Sequence, residues 1–223
     1  MTKISAPIKV LLTGFEPFLD NSYNTSQLVL ERITDQSNHK DTIQYTTNLL
    51  TVDSNGVKQV SLELAKSSCS QYDTIIHLGL DSKASKIYIE LCAWNYKVTN
   101  SDQAVSNLSN RGDELPVHCI DPDSPALLVS TFDFSSYSAL NEDDKIVALS
   151  RNAGIYYCNE IYFRTLDQIR KNVIILNDKT KKPVKCCFIH LPQVSERLSI
   201  SFLTKKIDDI VYFLTLGTRN AYQ

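Results

Sequence analysis

Short apolar runs rich in β-branched residues alternate with amphipathic segments along this chain, and this alternation restricts the fold more than any other feature of the sequence. The first run, Ile8 to Thr13, leads directly into Gly14, as a buried strand leads into a loop. A helical pattern follows in which Leu28, Val29 and Ile33 share one face. Later apolar runs predict further strands at Thr42 to Leu50, Thr74 to Gly79, Lys86 to Leu91 and Val184 to Leu191. The sequence therefore predicts an α/β fold, a three-layer α/β/α sandwich with a twisted, largely parallel central sheet.

The helices expected to cover this sheet are marked by apolar residues at helical spacing. After the first helix, such patterns occupy Ser54 to Ser68, Asn141 to Ser150, Cys158 to Arg170 and Ser201 to Gly217. Residues 99–136 are rich in Asp, Asn, Ser and Pro and predict loops with one short strand near Leu127. We expect the strand at residues 184–191 to close the sheet, and residues 172–184 to form a surface insertion. Because no repeat or linker divides the chain, one catalytic domain over residues 1–223 is expected.

Charge and hydropathy exclude several classes of partner. The formal net charge is -2 and the lysines and arginines are scattered, so the sequence predicts no basic face for nucleic acid. No apolar run approaches the about 18 residues that a membrane span needs, and the amino terminus lacks the apolar core of a secretory signal. We therefore expect a cytoplasmic protein without nucleic-acid or membrane partners. No pattern in the sequence indicates an oligomeric state.

The six cysteines carry no spacing that is typical of a metal site or of a disulfide framework. They are Cys69, Cys92, Cys119, Cys158, Cys186 and Cys187, and no two of them form a Cys-x-x-Cys pair. Reduced thiols, with no metal and no cofactor, are the expectation. Because cysteine is often a small buried hydrophobe, more than its presence must single one out as reactive.

Three residues together supply the groups that a cysteine hydrolase needs: a thiol at Cys158, an imidazole at His190 and a carboxylate at Glu90. Cys158 follows an Ala153-Gly154 turn at the start of a predicted helix, where unpaired N–H groups stabilise a thiolate. His190 ends an apolar strand, and a carboxylate in an apolar run such as that of Glu90 needs a partner. From the residues alone, His190 remains open as a structural histidine and Glu90 as a water-facing edge-strand carboxylate. His77 is a competing base, which we expect to pack within the sheet instead.

Four separated blocks resemble one family, pyroglutamyl peptidase I, also called pyrrolidone carboxyl peptidase. In chain order they are TGFEPFLDNSYNTS at Thr13 to Ser26, HLGLDSKASKIYIELCAWN at His77 to Asn95, SRNAGIYYCN at Ser150 to Asn159 and FIHLP at Phe188 to Pro192. The segment PALLVST, from Pro125 to Thr131, is also similar to a family segment. The resemblance runs from about residue 8 to the final helix.

This resemblance implies a cysteine exopeptidase that hydrolyses the bond after an N-terminal pyroglutamyl residue and releases pyroglutamate through a thioester. It makes Cys158 the nucleophile, His190 the general base and acid, and Glu90 the group that orients the imidazole. The substrates are then peptides with an N-terminal pyroglutamate. The resemblance also implies a substrate-binding set, which comprises Phe15, Phe18, Asn24, Leu80 and Tyr156, with the two phenylalanines flanking the pyrrolidone ring.

The chain differs from the family pattern mainly around the expected pocket. Leu19 and Asp20 replace a Gly-Gly pair, and Thr25 replaces a proline. Leu80 stands where bacterial members often have a glutamine, although some eukaryotic members are apolar there. Two alternatives follow from these differences: a binding protein on the same scaffold without turnover, and a related cysteine amidase that acts on another small acyl group.

Overall fold

A computed structural model describes residues 6–18, 21–66, 71–98, 117–134, 145–171 and 184–216. Its strands are β1 Ile8–Phe15, β2 Ile43–Leu50, β3 Thr74–Leu80, β4 Ile87–Glu90, β5 Cys92–Trp94, β6 Tyr96–Val98, β7 Val117–Cys119, β8 Leu127–Val129, β9 Val147–Ser150 and β10 Lys185–Leu191. Its helices are α1 Thr25–Gln36, α2 Ser54–Ala65, α3 Tyr157–Arg170 and α4 Ile200–Leu216. Within these ranges no helix is long and apolar enough to cross a membrane.

The central sheet has six strands in the order β2-β1-β3-β10-β4-β9. Every neighbouring pair is parallel except β10 and β4, which are antiparallel. The apolar residues of α1 and α4 form a core on one face of the sheet, and those of α2 and α3 form a core on the other. Both faces of the central strands are therefore buried, as their continuous apolar runs predict, and the expected three-layer α/β/α sandwich is confirmed.

The first two helices begin at side chains that accept hydrogen bonds from otherwise unpaired backbone N–H groups. Asn24 accepts from the N–H of Ser26 at the start of α1, and Asp53 accepts from the N–H groups of Asn55 and Gly56 at the start of α2. Asn24 is thus the N-cap of α1, and Asp53 is the N-cap of α2.

Two features of the sheet differ from the sequence prediction. Residues 147–150 form strand β9, not part of a helix, because a short apolar run of this length fits either structure and here pairs with β4. Strand β10 does not close the sheet but lies between β3 and β4. It can occupy that central position because its residues 186–191 are all buried. Residues 141–144, where that helix was predicted to begin, lie outside the described part of the chain.

Two short antiparallel ribbons, β5–β8 and β6–β7, lie beside α3. The strand predicted near Leu127 is confirmed as β8, while β7 was not predicted. The side chain of Asn159 in α3 joins the ribbons to the helix: it accepts from the N–H of Trp94 at 2.8 Å and donates to the carbonyls of Trp94 and Tyr96 at 2.8 and 2.9 Å. The ribbons are therefore held against the first turn of α3. The rest of the region predicted as loops, residues 99–116 and 135–136, and most of the predicted insertion, residues 172–183, lie outside the described chain.

Candidate active site

The end of β10 and the end of β4 bring a histidine and a carboxylate together on the sheet face that α3 covers. Because β4 runs antiparallel to β10, Glu90 pairs with Phe188 and lies diagonally across from His190. Glu90 Oε1 lies 2.9 Å from His190 Nδ1. Glu90 is 1% exposed and His190 is 8% exposed. Strand β4 lies between β10 and β9, so Glu90 is not a water-facing edge-strand carboxylate.

The thiol of Cys158 reaches the same imidazole from α3. Cys158 is the second residue of the helix and is half-buried, and its side chain acts on the imidazole of His190, whose pKa it raises. Since Nδ1 of His190 is occupied by Glu90, Nε2 is the ring nitrogen left for the sulfur. Tyr156 precedes the helix without a capping side chain, which leaves N–H groups of the first turn available beside the sulfur. A thiol, an imidazole and a carboxylate thus form one continuous array.

Gly79 makes room for this array at the end of β3. It pairs with His190 in the sheet, and a Cβ at this position would lie 2.7 Å from Phe188 Cζ and 3.0 Å from Cys158 Sγ. The first distance is shorter than real Cβ contacts and the second is tighter than most, so a side chain here would force the Phe188 ring or the sulfur to shift. The glycine of the second sequence block therefore allows the sulfur to approach the sheet.

The charge state of His190 is decided by its partners. Burial acts to lower the pKa of His190, but the hydrogen bonds and charges of Cys158 and Glu90 outweigh it and raise the pKa to about 10. The imidazole thus keeps its proton at neutral pH. A protonated imidazole beside a cysteine sulfur is one of the arrangements that activate cysteine as a nucleophile.

Glu90 is held by two further hydrogen bonds that do not involve His190. Its Oε2 accepts from the backbone N–H of Asn152 at 3.1 Å, and its backbone carbonyl accepts from the hydroxyl of Tyr162 at 3.0 Å. Both carboxylate oxygens are therefore paired. This pairing offsets the cost of burying the charge and fixes the plane of the carboxylate.

His77, the competing base, lies on the same face of the sheet but has different partners. Its Nδ1 lies 2.8 Å from Thr13 Oγ1, and its Nε2 lies 2.9 Å from Thr165 Oγ1. Burial lowers the pKa of His77 to about 3. It is therefore a neutral histidine packed within the sheet, as predicted.

The other described cysteines lack such an environment. Burial raises the pKa of the thiols of Cys92, Cys186 and Cys187, with the Glu90 charge adding to the effect at Cys92. Cys119 is exposed on the β6–β7 ribbon. All five described cysteines are free, and Cys69 lies outside the described residues. Within the described chain no group of three or more His, Cys, Asp or Glu residues is placed to hold a metal ion.

The residues expected to flank the pyrrolidone ring lie at the end of β1 and in the loop that follows it. Phe15 is buried in the apolar cluster against which Cys158 also packs, and Phe18 is half-buried. Asn24 is buried, with its amide donating to the carbonyl of Glu16 at 3.2 Å and accepting from Ser26. Because these hydrogen bonds hold the loop together, a direct contact of Asn24 with substrate stays a prediction.

Leu80 and Tyr156 are the remaining predicted contacts. Leu80 is the half-buried last residue of β3, directly after Gly79. The hydroxyl of Tyr156 is buried and finds no hydrogen-bond partner among the described residues, and burial raises its pKa. Thr25, which stands in place of a proline, is the first residue of α1, a position that also suits proline, so the change leaves the start of the helix in place. Leu19 and Asp20 lie outside the described residues.

Three polar residues, Asn95, Asn159 and Glu160, were not predicted to contribute hydrogen bonds or ion pairs around the site. Asn159 holds the ribbons, and the buried carboxylate of Glu160 contacts Lys97 Nζ at 2.8 Å and Arg164 at 2.7 Å. Asn95 bonds the turn at residues 120–124 through both ends of its amide. The occurrence of Asn95 and Asn159 inside the sequence blocks was the available signal, whereas Glu160 lies directly after a block.

Comparisons with known proteins agree with this geometry. The family model of pyroglutamyl peptidase matches residues 8–212. The pyrrolidone-carboxylate peptidase 1 of Caldanaerobacter subterraneus subsp. tengcongensis is 24% identical over 214 residues, which cover 92% of this chain and 96% of that relative. A pyrrolidone-carboxylate peptidase of Halalkalibacterium halodurans is 28% identical over 189 residues, which cover 84% of this chain and 85% of the relative.

Solved structures share the fold. The pyrrolidone carboxyl peptidase of Fervidobacterium islandicum superposes with a TM-score of 0.71 at 25% identity, covering 93% of this chain and 98% of that one. The pyroglutamyl peptidase I of Bacillus amyloliquefaciens superposes with a TM-score of 0.73 at 20% identity, covering 94% of this chain and 96% of that one.

Proposed function

The chain belongs to the pyroglutamyl peptidase family, and on that premise we propose that Cys158, His190 and Glu90 carry out its reaction. The protein is a cysteine peptidase, a hydrolase that releases pyroglutamate from the amino terminus of peptides. The observation that carries the residue assignment is the array in which Glu90 Oε1 lies 2.9 Å from His190 Nδ1 and the side chain of Cys158 acts on the same imidazole. A carboxylate, an imidazole and a thiol in this order support nucleophilic acyl transfer.

In the first half of the reaction, the thiolate of Cys158 attacks the pyroglutamyl carbonyl carbon. The C–N bond to the next residue breaks as His190 donates its proton to the leaving amine, and a thioester forms on Cys158. In the second half, His190 takes a proton from water, the water oxygen attacks the thioester carbonyl, the C–S bond breaks, and pyroglutamate leaves, which restores the thiolate and the protonated imidazole. The N–H groups at the start of α3 face the negative charge that develops on the carbonyl oxygen.

Glu90 contributes to these two reaction steps through His190. Its carboxylate holds the ring by Nδ1, which leaves Nε2 for the sulfur and then for the leaving group, and it stabilises the imidazolium. Because the two oxygens of Glu90 are held by different partners, the ring has one favoured orientation.

The pocket supports a small, neutral acyl group. Pyroglutamate is a lactam with apolar ring methylenes, one N–H donor and one carbonyl acceptor, and we assign Phe15 and Phe18 to its ring, with Leu80 and Tyr156 beside it. The hydroxyl of Tyr156, which has no hydrogen-bond partner within the described part of the chain, supports a polar contact with the ligand, and Asn24 keeps the loop in shape. A free α-amine is excluded because it would lose its hydration between aromatic rings.

We further propose that the chain forms one catalytic domain and that the protein is cytoplasmic. One catalytic domain over residues 1–223 is supported by the polar contacts that tie the ribbons to α3. The five free described cysteines support a reducing, cytoplasmic location.

A fluorogenic pyroglutamyl amide tests the proposal. The parent protein should hydrolyse it, while Cys158→Ser and His190→Ala should lose at least about a thousandfold in kcat/KM. Cys119→Ser is the matched control, because Cys119 is an exposed cysteine away from the array, and it should keep the parent rate. An inert parent, or a Cys158→Ser variant with parent-like turnover, would contradict the proposed function.

A further inference from the structure

The turn at residues 150–156 connects the carboxylate of the array to the nucleophile helix. At one end Ser150, the last residue of β9, pairs with Glu90 in the sheet, and its carbonyl accepts from the N–H of Leu91 at 2.7 Å. At the other end the carbonyl of Ile155 accepts from the N–H of Val98 at 2.9 Å. The two ends of the turn are thus fixed to β4 and to the β6–β7 ribbon, and Cys158 follows directly.

The middle of this turn is shaped by the side chain of Asn152. Its Oδ1 accepts from the backbone N–H of Gly154 at 3.1 Å, an Asx-type hydrogen bond that closes the turn. Gly154 has φ 82°, a left-handed conformation that suits glycine. The neighbouring Ala153 is buried in the apolar cluster, while Asn152 itself is exposed.

The backbone N–H of the same Asn152 points to the array. It donates to Glu90 Oε2 at 3.1 Å and is shared with Ser150 Oγ, also at 3.1 Å. Among the described residues this N–H is the donor that holds the oxygen of Glu90 not used by His190. If the turn opened, Oε2 would lose this donor and the carboxylate would be free to rotate away from Nδ1 of His190.

We propose that Asn152 is a positioning residue for catalysis: its side chain closes the turn, so that its own N–H holds Glu90 Oε2 and thereby aims Oε1 at His190. The inference rests on the proposed function. It adds to the family reaction an exposed residue that touches neither substrate nor sulfur and acts through Glu90. The described titratable groups that act on His190 are Glu90 from β4 and Cys158 from α3, so a change in Glu90 is transmitted to the ion pair with the sulfur.

Three variants in the turn separate positioning from loss of structure. Asn152→Ala removes the acceptor for Gly154, Asn152→Asp keeps an oxygen there, and Arg151→Ala truncates the exposed neighbour whose hydrogen bond with Cys92 uses its backbone carbonyl. With the fluorogenic amide we expect kcat to fall about tenfold in Asn152→Ala with KM within about twofold of the parent. Asn152→Asp should stay within about threefold of the parent, and Arg151→Ala within about twofold.

A second readout does not need turnover. The rate at which iodoacetamide alkylates Cys158 near pH 6, followed by mass spectrometry of the Cys158 peptide, reports the thiolate that His190 stabilises. A looser active site would speed alkylation of Cys158, whereas a Glu90 that no longer orients His190 would slow it. We therefore expect the alkylation rate to fall about fivefold in Asn152→Ala. Thermal unfolding midpoints should agree within about 3 °C, since Asn152 is exposed.

The outcomes are distinguishable. Lower kcat together with slower alkylation in Asn152→Ala, and recovery of both in Asn152→Asp, support the inference. It is overturned if Asn152→Ala behaves like Arg151→Ala, if its Cys158 is alkylated faster, or if Asn152→Asp loses as much as Asn152→Ala. A parent that does not cleave the amide refutes the proposed function, while the alkylation rates still decide the role of Asn152.

Discussion

Two buried histidines face helix α3 from adjacent strands, and their surroundings give them opposite charge states. His77, in the middle of β3, lies between the hydroxyls of Thr13 and Thr165, and burial lowers its pKa to about 3. His190, near the end of β10, lies between Glu90 and Cys158; burial acts to lower its pKa too, but these partners raise it to about 10. Phe188 separates them, with its ring centroid 6.3 Å from that of His77 and 4.6 Å from that of His190.

The difference shows that burial alone does not decide what a histidine does. Two hydroxyls satisfy both nitrogens of a neutral ring, which then serves as a packed, hydrogen-bonded core residue. A carboxylate on one nitrogen and a thiol on the other stabilise the protonated ring instead, which prepares a proton for a leaving group. The same helix supplies Thr165 to one histidine and Cys158 to the other, so a single helix divides this face of the sheet into a structural part and the part that holds the proposed catalytic array.

Of the changes considered, removing the charge of Glu90 should have the largest effect on activity and on the charge state of His190. We expect Glu90→Gln to lower kcat/KM by about a thousandfold, because an amide orients the ring less well and cannot stabilise an imidazolium. Without the carboxylate the pKa of His190 falls, so the alkaline limb of the pH profile should move to lower pH. The pH dependence of kcat/KM in parent and variant measures both effects. A loss smaller than about tenfold, with an unmoved alkaline limb, would show that Glu90 does not orient His190.

A smaller loss of activity is expected when the space that Gly79 leaves beside Phe188 and Cys158 is filled. Gly79→Ala would place a methyl group within 2.7 Å of Phe188 Cζ and 3.0 Å of Cys158 Sγ, so the ring or the sulfur must shift. We expect kcat to fall about a hundredfold, since a displaced sulfur no longer meets the imidazole. Steady-state kinetics with a far-ultraviolet spectrum of the folded variant tests this. Parent-like kcat in a folded Gly79→Ala protein would mean that the sulfur does not need the glycine.

The neutral histidine should affect stability and leave catalysis nearly unchanged. In His77→Leu, Thr13 and Thr165 lose their buried partner, and we expect the free energy of unfolding to fall by about 2 kcal/mol with kcat within about threefold of the parent. The folded-state pKa of about 3 lies below the ordinary value of 6.5, so the unfolded chain takes up this proton first. His77 therefore stabilises the parent above pH 6.5, and that contribution is lost as the pH falls toward 3.

Urea unfolding at several pH values measures this contribution. The slope of stability against pH between about 4 and 6 should be smaller in His77→Leu than in the parent. A large loss of kcat in the folded variant would instead give His77 a part in catalysis.

Most elements of the fold were predictable because their apolar runs are long or clearly periodic. The run of β1 and the pattern of α3 needed no knowledge of their neighbours. The run at residues 147–150 could not be assigned without its neighbours, since only its pairing with β4 makes it a strand. The antiparallel direction of β4 was equally hidden, because the order and direction of strands depend on contacts between distant segments.

The candidate site shows the same division. Cys158, His190 and Glu90 were predicted from their places in four ordered blocks, and the structure brings them together. The parts played by Asn152 and Asn159 could not be predicted, since each depends on a backbone group that only tertiary structure brings within reach. The loop after β1 was predicted to contribute to the pocket. The sequence alone could not show that Asn24 makes hydrogen bonds within this loop, to Glu16 and Ser26.

The most direct test of the central claim is to trap the acyl-enzyme. The protein is mixed with a pyroglutamyl ester or amide, quenched in acid within one turnover, digested and examined by mass spectrometry. A pyroglutamyl group bound as a thioester to Cys158, absent from Cys158→Ser and hydrolysed by the parent on longer incubation, is the predicted result. A pyroglutamyl group on another residue, or turnover in the parent through a step that leaves Cys158 unmodified, would contradict the account.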